Sequence, residues 1–309
     1  MECRACPFEC GVDRREKLGV CRAPGEFIIS QARLHLWEEP PISGTRGSGT
    51  IFFTHCNLRC RFCQNYDISQ PARDMTGLSD NPYRVPSTSR EVTPDRLLAV
   101  MLELQDQGAH NINLVTPTHY SEQLIPVLER ARSQLKIPVL WNSNGYEKVE
   151  TLARLEGLVQ IYLPDFKYFS PELAKTSSSA PDYAEYAGPA IIEMRRQVGG
   201  NRYDDSGVIE KGLIIRHLVL PGHTDDSKQV LDWIADNLGT TVHISLMAQY
   251  YPAYRASELP GMNRRLSPAE YEEVRTHMLK LGFEEGYCQE LSSASKDYTP
   301  DFKTRGPHL

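Results

Sequence analysis

Seven of the eight cysteines in this 309-residue chain fall into two tight groups, Cys3/Cys6/Cys10/Cys21 and Cys56/Cys60/Cys63, and Cys288 stands apart. Clustering of that kind in a chain of this size points to metal rather than to disulfides. Cys56, Cys60 and Cys63 have C-x3-C-x2-C spacing and follow directly on the strand-like run Thr50-Ile51-Phe52-Phe53. Thiolates this close can turn inward from one loop and grip three irons of a cubane. Three protein ligands for four irons is the informative ratio. A four-cysteine cluster is saturated and only passes electrons, whereas three leave one iron open to an exogenous ligand. The alternative is a zinc ion held by these three cysteines and His55, although tetrahedral zinc usually draws its ligands from two separate loops.

The first group has C-x2-C-x3-C-x10-C spacing. Four thiolates can fill a tetrahedral zinc or saturate a second cubane, and spacing does not choose between them. A head this short has little core of its own and needs such a staple. Cys288, in Gly286-Tyr287-Cys288-Gln289, reads as an ordinary buried thiol.

Elements that position these residues follow from the rest of the pattern. Residues 1–36 form the cysteine-bearing head, 37–285 the main domain and 286–309 a tail. Strands are expected at Thr50–Phe53, Asn111–Val115, Ile137–Trp141, Leu158–Leu163, Gly212–Leu220 and Val242–Met247. These runs are mostly continuous in apolarity, as parallel strands covered on both faces require. Helices fall between them. Thr93-Pro94-Asp95 opens one that Gly108 ends, Asp225-Asp226 opens one that Gly239 ends, and the capping box Ser267-Pro268-Ala269-Glu270 opens a last one closing near Gly282. From Asp67 to about Thr93 the chain reads as an irregular polar loop. Six β/α units wind with right-handed crossovers into a partial (β/α)6 TIM-like barrel or an open doubly wound sheet, and either gathers function at the C-terminal ends of its strands.

Bulk properties exclude several classes. An apolar fraction of 40% with 24% charged residues is that of a soluble globular protein. A net charge of −6 offers no basic field for nucleic acid. No signal-peptide pattern opens the sequence and no run of about 18 apolar residues occurs, so a cytoplasmic protein with no membrane span is expected.

The run Cys56-Asn57-Leu58-Arg59-Cys60-Arg61-Phe62-Cys63, with aromatic Phe62 in the third spacer, resembles the defining C-x3-C-x-Φ-C motif of the radical S-adenosylmethionine (SAM) superfamily. The likeness runs along nearly the whole chain and is nearest to the pyruvate formate-lyase activating enzyme-like branch with an N-terminal cysteine-rich head. It implies a [4Fe–4S] cluster on Cys56, Cys60 and Cys63, whose open iron binds SAM. Reductive cleavage then gives a 5′-deoxyadenosyl radical that abstracts a hydrogen atom. It also implies that Phe62 packs near the adenine. Where the family has Gly-Gly-Glu, this chain has Val115-Thr116-Pro117-Thr118-His119, so Thr116 and Thr118 stand in that place. Asn142-Ser143-Asn144-Gly145 looks like the family's Asp-Thr-Asn-Gly, Asp165-Phe166-Lys167 like its Asp-Leu-Lys, and Ile215-Arg216-His217-Leu218 like its Ile-Arg-Tyr-Val. The resemblance therefore carries Asn142, Asn144, Asp165, Lys167, Arg216 and, in the sixth strand, Gln249 as contacts to SAM. For Arg216 a SAM or substrate carboxylate and an internal acid are both open as partners. A flavodoxin or ferredoxin is implied as electron donor, and a glycyl radical enzyme as the substrate. Radical modification of a peptide or small molecule, and a non-catalytic metal-binding or electron-transfer protein, are the rival readings.

Overall fold

The computed structural model describes residues 2–70, 72–73, 83–294 and 300–302. All six expected strands are present, with their ends displaced, at Ser48–Phe53 (β2), Ile112–Val115 (β4), Val139–Ser143 (β5), Ile161–Pro164 (β6), Ile209–Leu218 (β7) and His243–Met247 (β8). Three more flank them: Phe27–His35 (β1), Arg90–Val92 (β3) and Gly286–Cys288 (β9). The sheet runs β9-β8-β7-β6-β5-β4-β2-β1-β3. Every pair from β2 to β9 is parallel, and β1 pairs antiparallel with both β2 and β3.

The parallel strands, β2 and then β4 to β9, follow one another along the sheet in chain order, with β1 and β3 added as an antiparallel edge beside β2. A doubly wound sheet reverses direction at a switch point; the parallel strands here never do. Successive right-handed crossovers then put the connecting helices on one face and curl the other face inward, which is the winding of a partial barrel. The inward face is closed at its lower end by Ile42, from the short helix Pro40–Ser43, packed on Leu140, Ile161, Leu163, Ile209 and Ile214. The outward face carries the larger core, in which Trp141, Tyr162 and Leu213 meet helices such as Tyr183–Val198 and Thr224–Leu238.

The helix signals are realised. Thr93 accepts the Arg96 amide and opens Pro94–Asp106, and Ser267 with Glu270 forms a reciprocal capping box opening Pro268–Lys280. Thr224–Leu238 ends at Gly239. Three readings need correction. The strand β1 lies in the barrel sheet, so residues 27–35 belong to the main domain and not to the head. The stretch from 67 to 93 is not wholly irregular, since Tyr66–Ser69 is helical and Arg90–Val92 pairs with β1; residue 71 and residues 74–82 of it lie outside the described residues. The expected tail begins with a seventh parallel strand, β9. Its Tyr287 packs against the inner core, which turns the neighbouring Cys288 outward, and that thiol is exposed rather than buried. Residues 295–299 and 303–309 of the tail are outside the described residues.

Candidate active site

One rung of the sheet sets the floor of the site. Registers join Phe52 to Val115, Val115 to Asn142 and Asn142 to Leu163, and on the other flank Asp165 to Arg216, Arg216 to Ser245 and Ser245 to Tyr287. Residues beyond this rung stand at the C-terminal strand ends, and a cavity of about 730 Å³ opens there. Cys56, Cys60, Phe62 and Cys63 line it together with Thr116, Asn142, Asn144, Asp165, Lys167, Arg216 and Gln249. Its size is that of a cofactor or small-molecule pocket.

The loop bearing the three cysteines is fixed on every side. Asn57 Nδ2 donates to the Tyr146 carbonyl at 2.9 Å, Arg61 N to the Ser177 carbonyl at 2.8 Å, and Gln64 Nε2 to the Gln249 carbonyl at 2.8 Å. Each sulfur also has a polar hydrogen near it. Asn144 Nδ2 and Leu58 N donate to Cys56 Sγ at 3.3 and 3.4 Å, Ser178 Oγ to Cys60 Sγ at 3.0 Å, and Ser69 Oγ lies 3.1 Å from Cys63 Sγ. Hydrogen bonds to sulfur are what a metal-bound thiolate uses to spread its charge. Burial pushes the Cys56 thiol up to about 11 and the Cys63 thiol to about 12. Such thiols ionise at neutral pH only when a metal takes the proton's place. Among the described residues no three His, Cys, Asp or Glu side chains converge on one ion. A cubane asks for no such convergence, because each thiolate binds its own iron. The donor set fits a cluster.

Phe62 is buried against Tyr168 and Tyr250, with centroids 6.3 and 5.8 Å away. Asp165 and Lys167 form an ion pair at 2.5 Å on the cavity wall. Burial pulls the Lys167 ammonium down, but Asp165 and the facing thiols more than offset it, and its pKa stands above the usual lysine value. Gln249 Oε1 accepts from Gln289 at 3.2 Å. His55 and Thr116, at the ends of β2 and β4, hold left-handed backbone at φ 67° and 58°, the kind of strain that collects at functional strand ends.

Two expected contacts are placed differently. Thr118 does not reach the cavity. Once Thr116 has turned the chain left-handed, the 3-10 turn Thr118–Tyr120 carries the Thr118 hydroxyl into the core, where it donates to Glu147 Oε1 at 2.5 Å. Arg216 lines the cavity with its fork already taken. Nε donates to Glu39 Oε1 at 2.8 Å, Nη2 to Glu39 Oε2 at 2.5 Å and also to Glu38. Of its two open partners, the internal acids hold it.

Glu38 and Glu39 were not expected here; the run Glu38-Glu39-Pro40-Pro41 reads as a linker. The available signal was a buried arginine in β7 whose neighbouring strand-end acid, Asp165, is followed two residues on by a cation of its own, Lys167. Glu147 was missed as well. Burial raises its carboxyl from 4.5 to about 7, partly offset by hydrogen bonds from Thr118 and Trp141. The folded form keeps this proton to about pH 7, whereas the unfolded chain loses it near 4.5, so stability falls as pH rises between these values, by roughly 3 kcal/mol. Glu147→Gln keeps the acceptor oxygen and removes the titration. Urea denaturation across pH 5 to 8 should show the variant more stable at the upper end by up to about 3 kcal/mol, with that slope gone.

The family described as the radical SAM superfamily matches residues 50–234. An uncharacterised protein of Methanocaldococcus jannaschii is 34% identical over 275 residues, covering 88% of this chain and 72% of that one. Among solved structures, Streptococcus suis SuiB bound to S-adenosylmethionine is 14% identical with a TM-score of 0.46, over 77% of this chain and 49% of that one. A domain of pyruvate-formate lyase-activating enzyme from Bacteroides vulgatus is 15% identical with a TM-score of 0.41, over 55% of this chain and 92% of that one. The chain thus spans about half the length of SuiB.

Proposed function

The chain belongs to the radical SAM superfamily, and from that premise we propose that Cys56, Cys60 and Cys63 hold the family's [4Fe–4S] cluster on one wall of the cavity of about 730 Å³. The observation that carries this reading is three thiols, Cys56 and Cys60 buried and Cys63 half-buried, each with a polar hydrogen near it, on one wall of a cavity whose other walls are strand-end polar groups. The bound cluster, with one iron free of protein ligand, supplies the electron that cleaves SAM to a 5′-deoxyadenosyl radical. The protein's own part is to bind and orient. Phe62 packs on the adenine, while Thr116, Asn142, Asn144, Asp165, Lys167 and Gln249 face the ribose and methionine atoms. Arg216 holds the floor through Glu38 and Glu39. A second metal sits on Cys3, Cys6, Cys10 and Cys21.

The radical's target is a glycyl residue of a partner enzyme, in the manner of the activating enzymes, with another peptide or a small molecule as the alternative. Leu36 and Trp37 favour a protein segment. They line the mouth of the cavity with 57% and 65% of their surface exposed, an apolar rim beside the polar strand ends. A flavodoxin or ferredoxin supplies the electron. The cytoplasm, where thiols stay reduced, is the compartment this chemistry needs. No helix among the described residues is long and apolar enough to cross a membrane.

The test is direct. Anaerobically reconstituted protein, given SAM and dithionite, should release 5′-deoxyadenosine and methionine in equal amounts. A cluster indifferent to SAM, with no nucleoside formed, would return the protein to the non-catalytic metal-binding class.

A further inference from the structure

Charge does not balance on the cavity floor. Among the described residues that line the cavity, the carboxylates and permanent cations are Glu38, Glu39, Asp165, Lys167 and Arg216. Asp165 and Lys167 pair with each other at 2.5 Å, which leaves one guanidinium for two carboxylates. Glu39 takes Arg216 through both of its oxygens, at 2.8 and 2.5 Å, and Glu38 shares only the Nη2 group already given to Glu39. The other Glu38 oxygen accepts from Asn113 Nδ2 at 2.8 Å, a neutral donor. With its side chain 9% exposed, Glu38 is withdrawn from bulk water without a cation of its own. A buried carboxylate in that state calls for a further positive partner.

A second group beside it is also open. His35, the last residue of β1, pairs with Ser48 at the start of β2, and its ring meets that of Phe52 edge-on with centroids 6.0 Å apart. The side chain lines the cavity, the residue is only 8% exposed, and neither ring nitrogen has a hydrogen-bond partner among the described residues. Burial pulls the imidazole below its usual value; Glu38 opposes this, while Arg33 and Arg216 add to it. The ring is therefore neutral at pH 7 and offers a lone pair to a donor. Carboxylate and lone pair are both acceptors. The wall beside them is apolar, made by Phe52, Val115, Leu218 and Met247. A ligand that answers all of these groups carries an N–H-rich cation at the end of a hydrocarbon stem. A guanidinium would ask for a carboxylate with both oxygens free, whereas the compact ammonium needs only what Glu38 and His35 have left.

Resting on the reading above, we propose that the cavity floor is a subsite for an alkylammonium group of the substrate, held by the Glu38 carboxylate and by His35 as hydrogen-bond acceptor, with the stem lying along Phe52, Val115, Leu218 and Met247. The cysteines stand on a wall of the same cavity, so anchoring the ammonium on the floor fixes which carbon of the stem faces them. A lysine side chain of a peptide and a free small amine share this chemistry. Glu39 is left to hold Arg216, and Glu38 is the acid that meets the ligand.

The experiment uses the full chain, reconstituted without oxygen, and reads binding by calorimetry with and without SAM and with no reductant. The probes are N-acetyl-lysine amide, N-acetyl-norleucine amide (the same stem without the nitrogen), N-acetyl-glutamate amide and n-butylamine. The lysine compound should bind at least about tenfold more tightly than the norleucine compound. Glu38→Gln, which keeps an oxygen for Asn113 and leaves Glu39 on Arg216, should erase that preference and leave SAM affinity unchanged. His35→Phe, which keeps a ring against Phe52, should weaken the lysine compound severalfold and leave the norleucine compound as it was. Butylamine binding as tightly as the lysine compound identifies a free amine as the source, and weaker binding identifies a peptide. Equal affinity for the lysine and norleucine compounds, or tighter binding of the glutamate compound, would overturn the proposal. So would a loss of SAM affinity in Glu38→Gln, because the unbalanced charge would then belong to the cofactor. Absence of 5′-deoxyadenosine when dithionite is added to the wild type would instead defeat the underlying functional reading, and the calorimetry is read apart from it.

Discussion

Cys60→Ala protein should fold, keep its head cysteines loaded, and form no detectable 5′-deoxyadenosine. The expectation follows from the ligand count. With three thiolates a cubane is held and one iron is left free; with two it is neither held nor shielded. Cys60 is the middle cysteine of the loop, buried, and its sulfur takes the hydroxyl of Ser178, which is itself 2.6 Å from Tyr168 Oη. The substitution deletes one sulfur from a packed site and leaves Ser178 with Tyr168 as partner, so the cost to the fold is on the order of 1 kcal/mol. Iron should fall by about four per chain and the SAM-dependent change in the EPR spectrum should vanish. Cys6→Ala gives the complementary result, with the SAM-responsive cluster retained. Should the Cys6 change remove both sets of iron, the division of the cysteines into two separate sites is wrong.

Legibility of the sequence divided along a physical line. The six parallel strands were readable because strands covered on both faces must be apolar throughout, and runs such as Ile137–Trp141 meet that demand in sequence alone. The loop cysteines were readable for a related reason: Cys56, Cys60 and Cys63 lie on one short loop, close in sequence as well as in space. Phe62, Asn142, Asn144, Asp165 and Lys167 were placed by their likeness to the family's motifs, and all of them line the one cavity. What escaped was set by the partner across space. The strand β1 hides because Ser30, Gln31, Arg33 and His35 break its apolar run, though most of it is buried once β2 and β3 lie alongside. The strand β9 is three residues long, and only its pairing with β8 makes it a strand. Thr118 was misplaced by one local event, the left-handed turn at Thr116, which no residue preference announces. Glu38 and Glu39 lie more than 170 positions from Arg216 in the chain, and no local signal joins them.

Arg216→Met should be the most damaging substitution for the fold among the cavity residues. Glu38 and Glu39 present side chains that are 9% and 7% exposed, and Arg216 is the cation between them. Burial alone would raise the Glu39 carboxyl, yet the guanidinium and its hydrogen bonds outweigh that and hold the pKa below the usual glutamate value. Its folded value is therefore below the unfolded one, and this stabilisation is present above the unfolded pKa and lost as pH falls through the folded one. Removing the guanidinium inverts the sign. The carboxylate is left with its burial, its pKa rises above that of the unfolded chain, and the variant loses stability as pH rises. At pH 8 the loss should be about 3 to 5 kcal/mol, the usual cost of breaking a buried pair from one side, and it should shrink toward pH 4. Adding Glu39→Gln to Arg216→Met should return part of it, because a neutral amide asks for no counter-ion. Urea denaturation of the single and double variants at both pH values measures each term. If Arg216 were instead held for a ligand carboxylate, the single variant would keep its stability and show only weaker SAM binding, and the second substitution would rescue nothing.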